Sequence, residues 1–351
     1  MTREEILQAI KNNQTIENMD LSGIDLSGAD LTGGRFENVS FKNANLSNVN
    51  ILKTGLRKCD FTGVKLDGTD LTKVDLRKIN LSGASLKDVK LHMTLLQDAD
   101  LTGSDCSGTF FSWSPMQRVK FDGANLSGTR WEKAILNGAS LANADLSKAN
   151  LLKVVFKDAN LSGTNFKGTH FFKIFFRSCK LADQDFKGAK FSTVNADSSD
   201  LKGADFTGAD ITYSNFSNAD LSGANLEKVF GQHTMFMGAI LKKARMVKAD
   251  LSKSYFGEAD LSRADLTGAD LSNAVFEKAK CRTAIFKNAM CKYADFSYAD
   301  LTAADFSGAN LFLAKMHLTI EDHTIWNGAI KAPIRGVDKD LAEAETWRPK
   351  I

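Results

Sequence analysis

Residues 144–151 read Ala144-Asp145-Leu146-Ser147-Lys148-Ala149-Asn150-Leu151, and this short phrase decides the fold. Leu146 and Leu151 stand five residues apart. Counting in fives from Leu146 in both directions gives one unbroken frame from Leu21 to Met316. Of the 60 positions in that frame 49 are Leu or Phe, so no loop interrupts it. A small residue lies two places before most frame positions, as at Ala84, Ala144, Ala204 and Ala264, widened to Cys59, Val64, Val74 and Ile79 in the first half. The residue just before is mostly Asp or Asn. The residue after is often Ser, Thr or Lys, and the next often Gly, Asn or Lys.

A period of five matches neither the helical 3.6 nor the strand period of 2. The large residues share one side only if the chain turns a corner in every pentad. Gly, Asn and Asp at fixed offsets make such corners cheap. The frame residue and the small residue two before it then both point inward, as alternation on a short extended segment requires. One is large and one small, so successive layers interdigitate. These are the marks of a β-solenoid. Only Ala196 and Gly231 are too small to fill a large inward pocket, which makes them the expected weak points.

On this consensus, Ala-(Asp/Asn)-(Leu/Phe)-(Ser/Thr)-Gly, the chain resembles the pentapeptide repeat family over residues 16–316. The resemblance implies an all-β fold, a right-handed quadrilateral β-helix with four pentads per coil and about fifteen coils. Residues n and n+20 then stack on one face.

The flanks read as caps. Thr2 and Glu5 form a capping box, with Ile6, Leu7 and Ile10 on one side of a helix over 3–11. Residues 1–15 are therefore assigned as an N-terminal cap. After Met316 the frame fails at Glu321. Trp326 and Thr324 imitate one more repeat, Pro333 breaks the chain, and Val337, Leu341, Ala344 and Trp347 mark the apolar side of a helix over about 338–346. Residues 317–351 form either a C-terminal cap or a docking tail. The five cysteines, Cys59, Cys106, Cys179, Cys281 and Cys291, all fall in inward columns, where a free thiol behaves as a small hydrophobe. No disulfide is expected, and a reducing compartment fits.

The chain has 351 residues, 43% hydrophobic and 25% charged, with 45 basic and 42 acidic side chains. A net charge of +3 is too weak to imply nucleic acid or an anionic membrane as partner. No apolar run is long enough to span a bilayer. The start, Met1-Thr-Arg-Glu-Glu, lacks the basic then apolar stretch of a signal peptide. A cytoplasmic location is expected, with secretion by a route independent of a signal peptide left open.

No phosphate-binding glycine loop, HExxH, CxxC or Gly-x-Ser-x-Gly occurs. His92, His170 and His233 lie in outward columns, coils apart. His317, Glu321, Asp322 and His323 cluster near the end and read as a solvated turn rather than a metal site. Most Asp residues sit just before a frame residue, where a short carboxylate bonds nearby backbone N–H groups. Stacks such as Asp145, Asn165, Asp185, Asp205 and Asn225 follow from the repeat. No enzyme, cofactor, metal or small-molecule substrate is expected.

Function is then sought in apolar departures on outward columns. Ile135, Val155 and Phe175 share one such column, and Leu152 and Phe172 the neighbouring one. Lys133, Lys153 and Lys173 form a basic ladder beside them. Met235, Tyr255 and Val275 form a second apolar column. Phe110 to Met116, with Trp113 and Pro115, is a third irregularity. The plainer alternative at each place is that the aromatics cover a local dent. The reading is a non-enzymatic, rigid, bacterial protein-interaction scaffold whose protein partner and oligomeric state the sequence leaves open. The resemblance adds two alternatives. One is a type VI secretion accessory, from the similar opening of the chain. The other is a DNA-mimic protein binding gyrase, of the quinolone-resistance type, which the positive charge disfavours.

Overall fold

The residue two places after each frame position bends the chain. At Asn143, Lys148 and Gly163 φ is +58°, +57° and +68°. A left-handed corner costs an ordinary side chain roughly 1–2 kcal/mol and costs Gly little. Cross-coil hydrogen bonds offset this. The Asn143 and Lys148 N–H groups donate to the carbonyls of Ser162 and Lys167 at 2.9 Å. On the arm between corners, Leu146 N–H donates to Asn165 and Asn165 N–H donates back to Ala144, both at 2.9 Å. Each arm thus pairs in parallel with the arm twenty residues on. Four pentads make one coil, as expected.

The computed structural model describes residues 1–346. It divides into two units, Met1–Gln184 and Asp185–Ile351. The first unit opens with helix α1 (Arg3–Lys11). Its longest paired arms are strands β1 (Thr15–Glu17), β2 (Arg35–Glu37) and β3 (Gly55–Arg57) in one sheet. A second sheet holds β4 (Lys90–His92), β5 (Phe110–Ser112), β6 (Arg130–Glu132), β7 (Asn150–Leu152) and β8 (His170–Phe172). In the second unit the arms pair by single bridges, from Asp185 with Asp205 to Lys315 with Arg335. Helix α2 (Lys339–Thr346) follows.

The core is a dry axis in each unit. Leu146, Phe156, Leu266 and Phe286 have no exposed surface, and the small column (Ala144, Ala204, Ala264) is equally buried. Aromatic frame residues stack coil on coil, as in Phe236, Phe256 and Phe276 with centroids 4.9 and 4.7 Å apart. Where Ser or Thr takes the small position, its hydroxyl donates to a frame carbonyl, either 23 residues back, as Thr94 to Leu71 at 2.8 Å and Thr169 to Leu146 at 2.7 Å, or three back, as Ser104 to Leu101 at 2.8 Å. This removes the cost of a buried hydroxyl. All five cysteines are buried thiols.

Two polar devices recur outside. An Asp just before a frame residue accepts the backbone N–H two residues on, as Asp205 does from Thr207 at 2.9 Å. The Thr207 hydroxyl adds a second bond at 2.6 Å. A basic residue just after a frame position also reaches the Asp eighteen residues on. Examples are Lys42 with Asp60 (3.3 Å), Lys187 with Asp205 (3.4 Å), Lys202 with Asp220 (3.2 Å) and Lys287 with Asp305 (3.2 Å).

The ends differ. Thr2 and Glu5 form the capping box of α1, which buries Ile6 and Ala9 against the first coil. At the other end pairing continues past Met316, through Ile320, Ile325, Ile330 and Arg335. The coil therefore extends into residues 317–335, beyond the frame's end at Met316. Each unit holds about eight coils at twenty residues per coil, slightly more in total than the fifteen expected. Leu or Phe is not needed in this last coil, because its inward residues Trp326 and Lys331 are only half-buried and Glu321 is exposed. Helix α2 is held from the side. Asp338 N–H donates to His317 Nδ1 at 3.0 Å, and the Tyr298 hydroxyl donates to Glu345. That bond to a carboxylate pushes the Tyr298 phenol up to about 12. Val337 and Leu341 are exposed rather than packed. Trp347 lies outside the described residues.

Candidate functional site

In the first unit the column just before the frame residue carries Pro115, Ile135, Val155 and Phe175 on successive coils. Bridges join Pro115 to Ile135, Ile135 to Val155 and Val155 to Phe175. Ile135 and Phe175 are 39% and 45% exposed, which places this apolar column on the surface. Leu95 precedes it in the same column and is half-buried. No backbone bridge joins Leu95 to Pro115, since proline has no N–H to give. Thr94 N–H donates to the Ser114 hydroxyl at 3.2 Å.

Around the corner run Leu152 and Phe172, paired in register in strands β7 and β8. Phe172 is 52% exposed. The corner between the two columns is formed by Trp113, Lys133, Lys153 and Lys173, all with positive φ. Lys133 Nζ lies 3.9 Å from the centre of the Trp113 ring, and Lys173 Nζ 5.6 Å from that of Phe172. The expected group Ile135, Leu152, Val155, Phe172, Phe175 and the three lysines is therefore one patch wrapping one corner. Leu95, Trp113 and Pro115 extend it, whereas Phe111, Ser112, Ser114 and Met116 of the irregular stretch are buried. Leu95 escaped the sequence reading, although its column could have been followed one coil further.

The surroundings are basic. Residues 130–180 hold nine Lys or Arg and three acidic residues. Lys133 pairs with Glu132 and Lys157 with Asp158, both at 3.8 Å. Lys153 and Lys173 have no carboxylate partner among the described residues. Beside the apolar column the side-chain oxygens of Gln97, Gln117 and Asn137 are buried and lack a donor among the described residues.

The second patch lies in the other unit. Met235, Tyr255 and Val275 are joined by bridges in one column. The Tyr255 ring folds over Gly257, where an added Cβ would sit 2.6 Å from it. Tyr255 and Val275 are half-buried and Met235 is 45% exposed. Tyr213 and His233 stack nearby at 4.8 Å. Tyr255 thus does cover a dent, and this patch is less prominent than the first.

The side chains considered for chemistry are occupied otherwise. Asp145 accepts from Ser147 N–H and Asn165 Nδ2, both at 2.9 Å. Burial raises the Cys106 and Cys179 thiols to about 12, and those of Cys281 and Cys291 higher still, so none forms a thiolate nucleophile at neutral pH. His92 Nδ1 meets the Ser112 hydroxyl at 2.6 Å. His317, expected in a solvated turn, is buried at the foot of α2. Among the described residues no group of three His, Cys, Asp or Glu is gathered for a metal, and no helix is long and apolar enough to cross a membrane.

A family model described as pentapeptide repeats (8 copies) matches residues 20–51, 56–92, 94–130, 214–252, 254–290 and 279–317. A second, described as a pentapeptide repeat region, matches 129–206. No curated protein matches the sequence. Among solved structures the chain is similar to HetL, a pentapeptide repeat protein involved in heterocyst differentiation regulation from the cyanobacterium Nostoc sp. strain PCC 7120. Identity is 24%, over 75% of this chain and 90% of that one, with a TM-score of 0.29. It is also similar to QnrB1, a plasmid-mediated fluoroquinolone resistance protein (18% identity, 49% and 85% covered, TM-score 0.22). A third is Rfr23, a pentapeptide repeat protein from the cyanobacterium Cyanothece 51142 (30%, 32% and 82%, 0.16).

Proposed function

Because the chain belongs to the pentapeptide repeat family, we propose that it is a non-enzymatic, rigid scaffold that binds another protein through the apolar corner of its first unit. One observation carries this reading: an exposed column of Ile135, Val155 and Phe175, with Leu152 and Phe172 around the corner, flanked by unpaired lysines. Large aromatics outside a repeat that already has a full core contribute nothing to the dry axis. An apolar centre with a charged rim is the usual make-up of a protein interface, and buried aromatic anchors carry most of the energy of such contacts. The coil-to-coil hydrogen bonds hold the anchors in place, which lowers the ordering cost of association. A DNA mimic would need a dense negative surface. The first unit instead carries 24 basic and 20 acidic residues, which supports a different kind of partner.

The test is affinity capture from the native cell with the wild-type chain and with Phe172→Ser/Phe175→Ser. Both residues are about half exposed, so the variant should keep its melting temperature, whereas Leu146→Asp should unfold the chain. A stoichiometric partner held by the wild type and lost by the surface variant is the expected result. Equal capture by both, or unfolding of the surface variant, would overturn the reading.

A further inference from the structure

A shallow depression of about 670 Å³ lies in the second unit, far along the sequence from the apolar corner and independent of it. Lys242, Lys243, Arg263, Lys280 and Arg282 line it, together with Asp260, Asp300, Ser262 and Thr283. Five cations therefore face two carboxylates. Both carboxylates are already committed by the recurring clasp of this fold. Lys242 Nζ is 3.2 Å from Asp260 and Arg282 Nε 2.5 Å from Asp300. Between them in the same column, bridged to both, stands Lys280 rather than a third acid. It is exposed and has no carboxylate partner of its own within 4.0 Å among the described residues.

The corner column beside it changes character along the unit. Gly203 and Gly223 form the corners of the two preceding coils, with φ of +65° and +67°. Lys243 and Arg263 then take that position on successive coils, at +57° and +62°. Each accepts a backbone conformation that suits glycine better, and like charges on adjacent rungs repel. Neither has a carboxylate partner among the described residues. Lys243, Arg263 and Lys280 thus bring three cations without a carboxylate partner among the described residues to one hollow.

We propose that this depression binds a small molecule bearing two or more phosphate charges, such as a diphosphate ester. Lys243 and Lys280 supply compact positive charge, and Arg263 supplies the planar fork that matches phosphate oxygens. Three uncommitted cations suit a ligand of charge near −3, which a single phosphate does not reach at neutral pH. The hollow spans three coils, on the order of 10 Å at the strand spacing, and Asp260 and Asp300 interrupt its basic surface. That span fits one diphosphate and gives no continuous track for a nucleic-acid backbone.

Titration calorimetry of the full chain with inorganic pyrophosphate tests the proposal. Saturable one-site binding is expected, with inorganic phosphate weaker. Lys243→Gln/Arg263→Gln, at exposed corners, should keep the melting temperature and lose affinity at least tenfold. Lys148→Gln, an exposed lysine of the first unit, should change nothing. The proposal is overturned by an absence of saturable heat at millimolar pyrophosphate. It is equally overturned if the double variant binds as tightly as the wild type, or if Lys148→Gln weakens binding as much.

Discussion

Gly231 stands in a frame column filled elsewhere by large side chains, mostly Leu and Phe, yet it leaves no void. A Cβ there would meet Leu251 at 2.8 Å and Ile211 at 3.2 Å, because the residues of the coils on either side lean into the space. The sequence marks this position as a weak point, since counting side chains column by column cannot register how neighbours relax. The physical expectation is now reversed. Gly231→Leu should destabilise the second unit by about 1–3 kcal/mol, the usual cost of overpacking, rather than repair it. Denaturant unfolding of the variant checks this, and a gain in stability would refute it. The outward Asp residues give the second prediction at this scale. Burial works against the Asp205 carboxylate, but the Thr207 hydroxyl, the Thr207 N–H and Lys187 outweigh it and hold the carboxyl below its usual range. A lowered folded value means that the contribution is complete above the unfolded value, about 3.9, and is lost as pH falls through the folded value. Asp205→Ala should therefore cost about 0.5–1.5 kcal/mol at neutral pH, and the difference from wild type should shrink on acidification in paired thermal melts. A difference that stays constant with pH would show that the carboxylate's charge is idle.

Of the two helices, α1 was legible and α2 only partly so, for one reason. The signals for α1 are local: Thr2 and Glu5 three residues apart, and apolar residues on one side. The attachment of α2 is non-local, through His317 and Tyr298, and no spacing within residues 338–346 announces it. Of the apolar side read from Val337, Leu341, Ala344 and Trp347, Val337 and Leu341 stay exposed and Trp347 lies outside the described residues. The two ends should respond differently. Ile6 is fully buried over the first coil, so Ile6→Asp should cost at least the roughly 2–5 kcal/mol of emptying such a site and open the first unit from its end. Leu341→Ser should change stability by less than about 0.5 kcal/mol. Amide hydrogen exchange of the first and last coils distinguishes the two, and equal loosening would contradict the asymmetry.

Across the whole molecule the repeat made the fold readable, because one five-residue rule is applied about sixty times and every error would shift a column. The candidate surface was readable to the extent that it departs from that rule. Ile135, Val155 and Phe175 stood out as apolar residues at the place in the pentad that is mostly Asp or Asn. Leu95 did not, and neither did the hollow around Lys243 and Lys280, since Lys is common in every outward column and only the cross-coil pairing shows which lysines lack a partner. The same pairing separates two roles at the apolar corner. Lys153 and Lys173 are solvated and unpaired, so their part in association is long-range attraction, which salt screens within about 10 Å at 0.1 M. Phe172 and Phe175 act only on contact. With the captured partner in hand, Lys153→Gln/Lys173→Gln should slow association several-fold at low salt and little at high salt, leaving dissociation nearly unchanged. Phe172→Ser/Phe175→Ser should speed dissociation at every salt concentration, because each lost aromatic anchor removes at least about 2 kcal/mol. Surface plasmon resonance at two ionic strengths reads both rates. If the lysine variant instead altered dissociation alone, those lysines would be buried contacts and the rim would have to be redrawn around them.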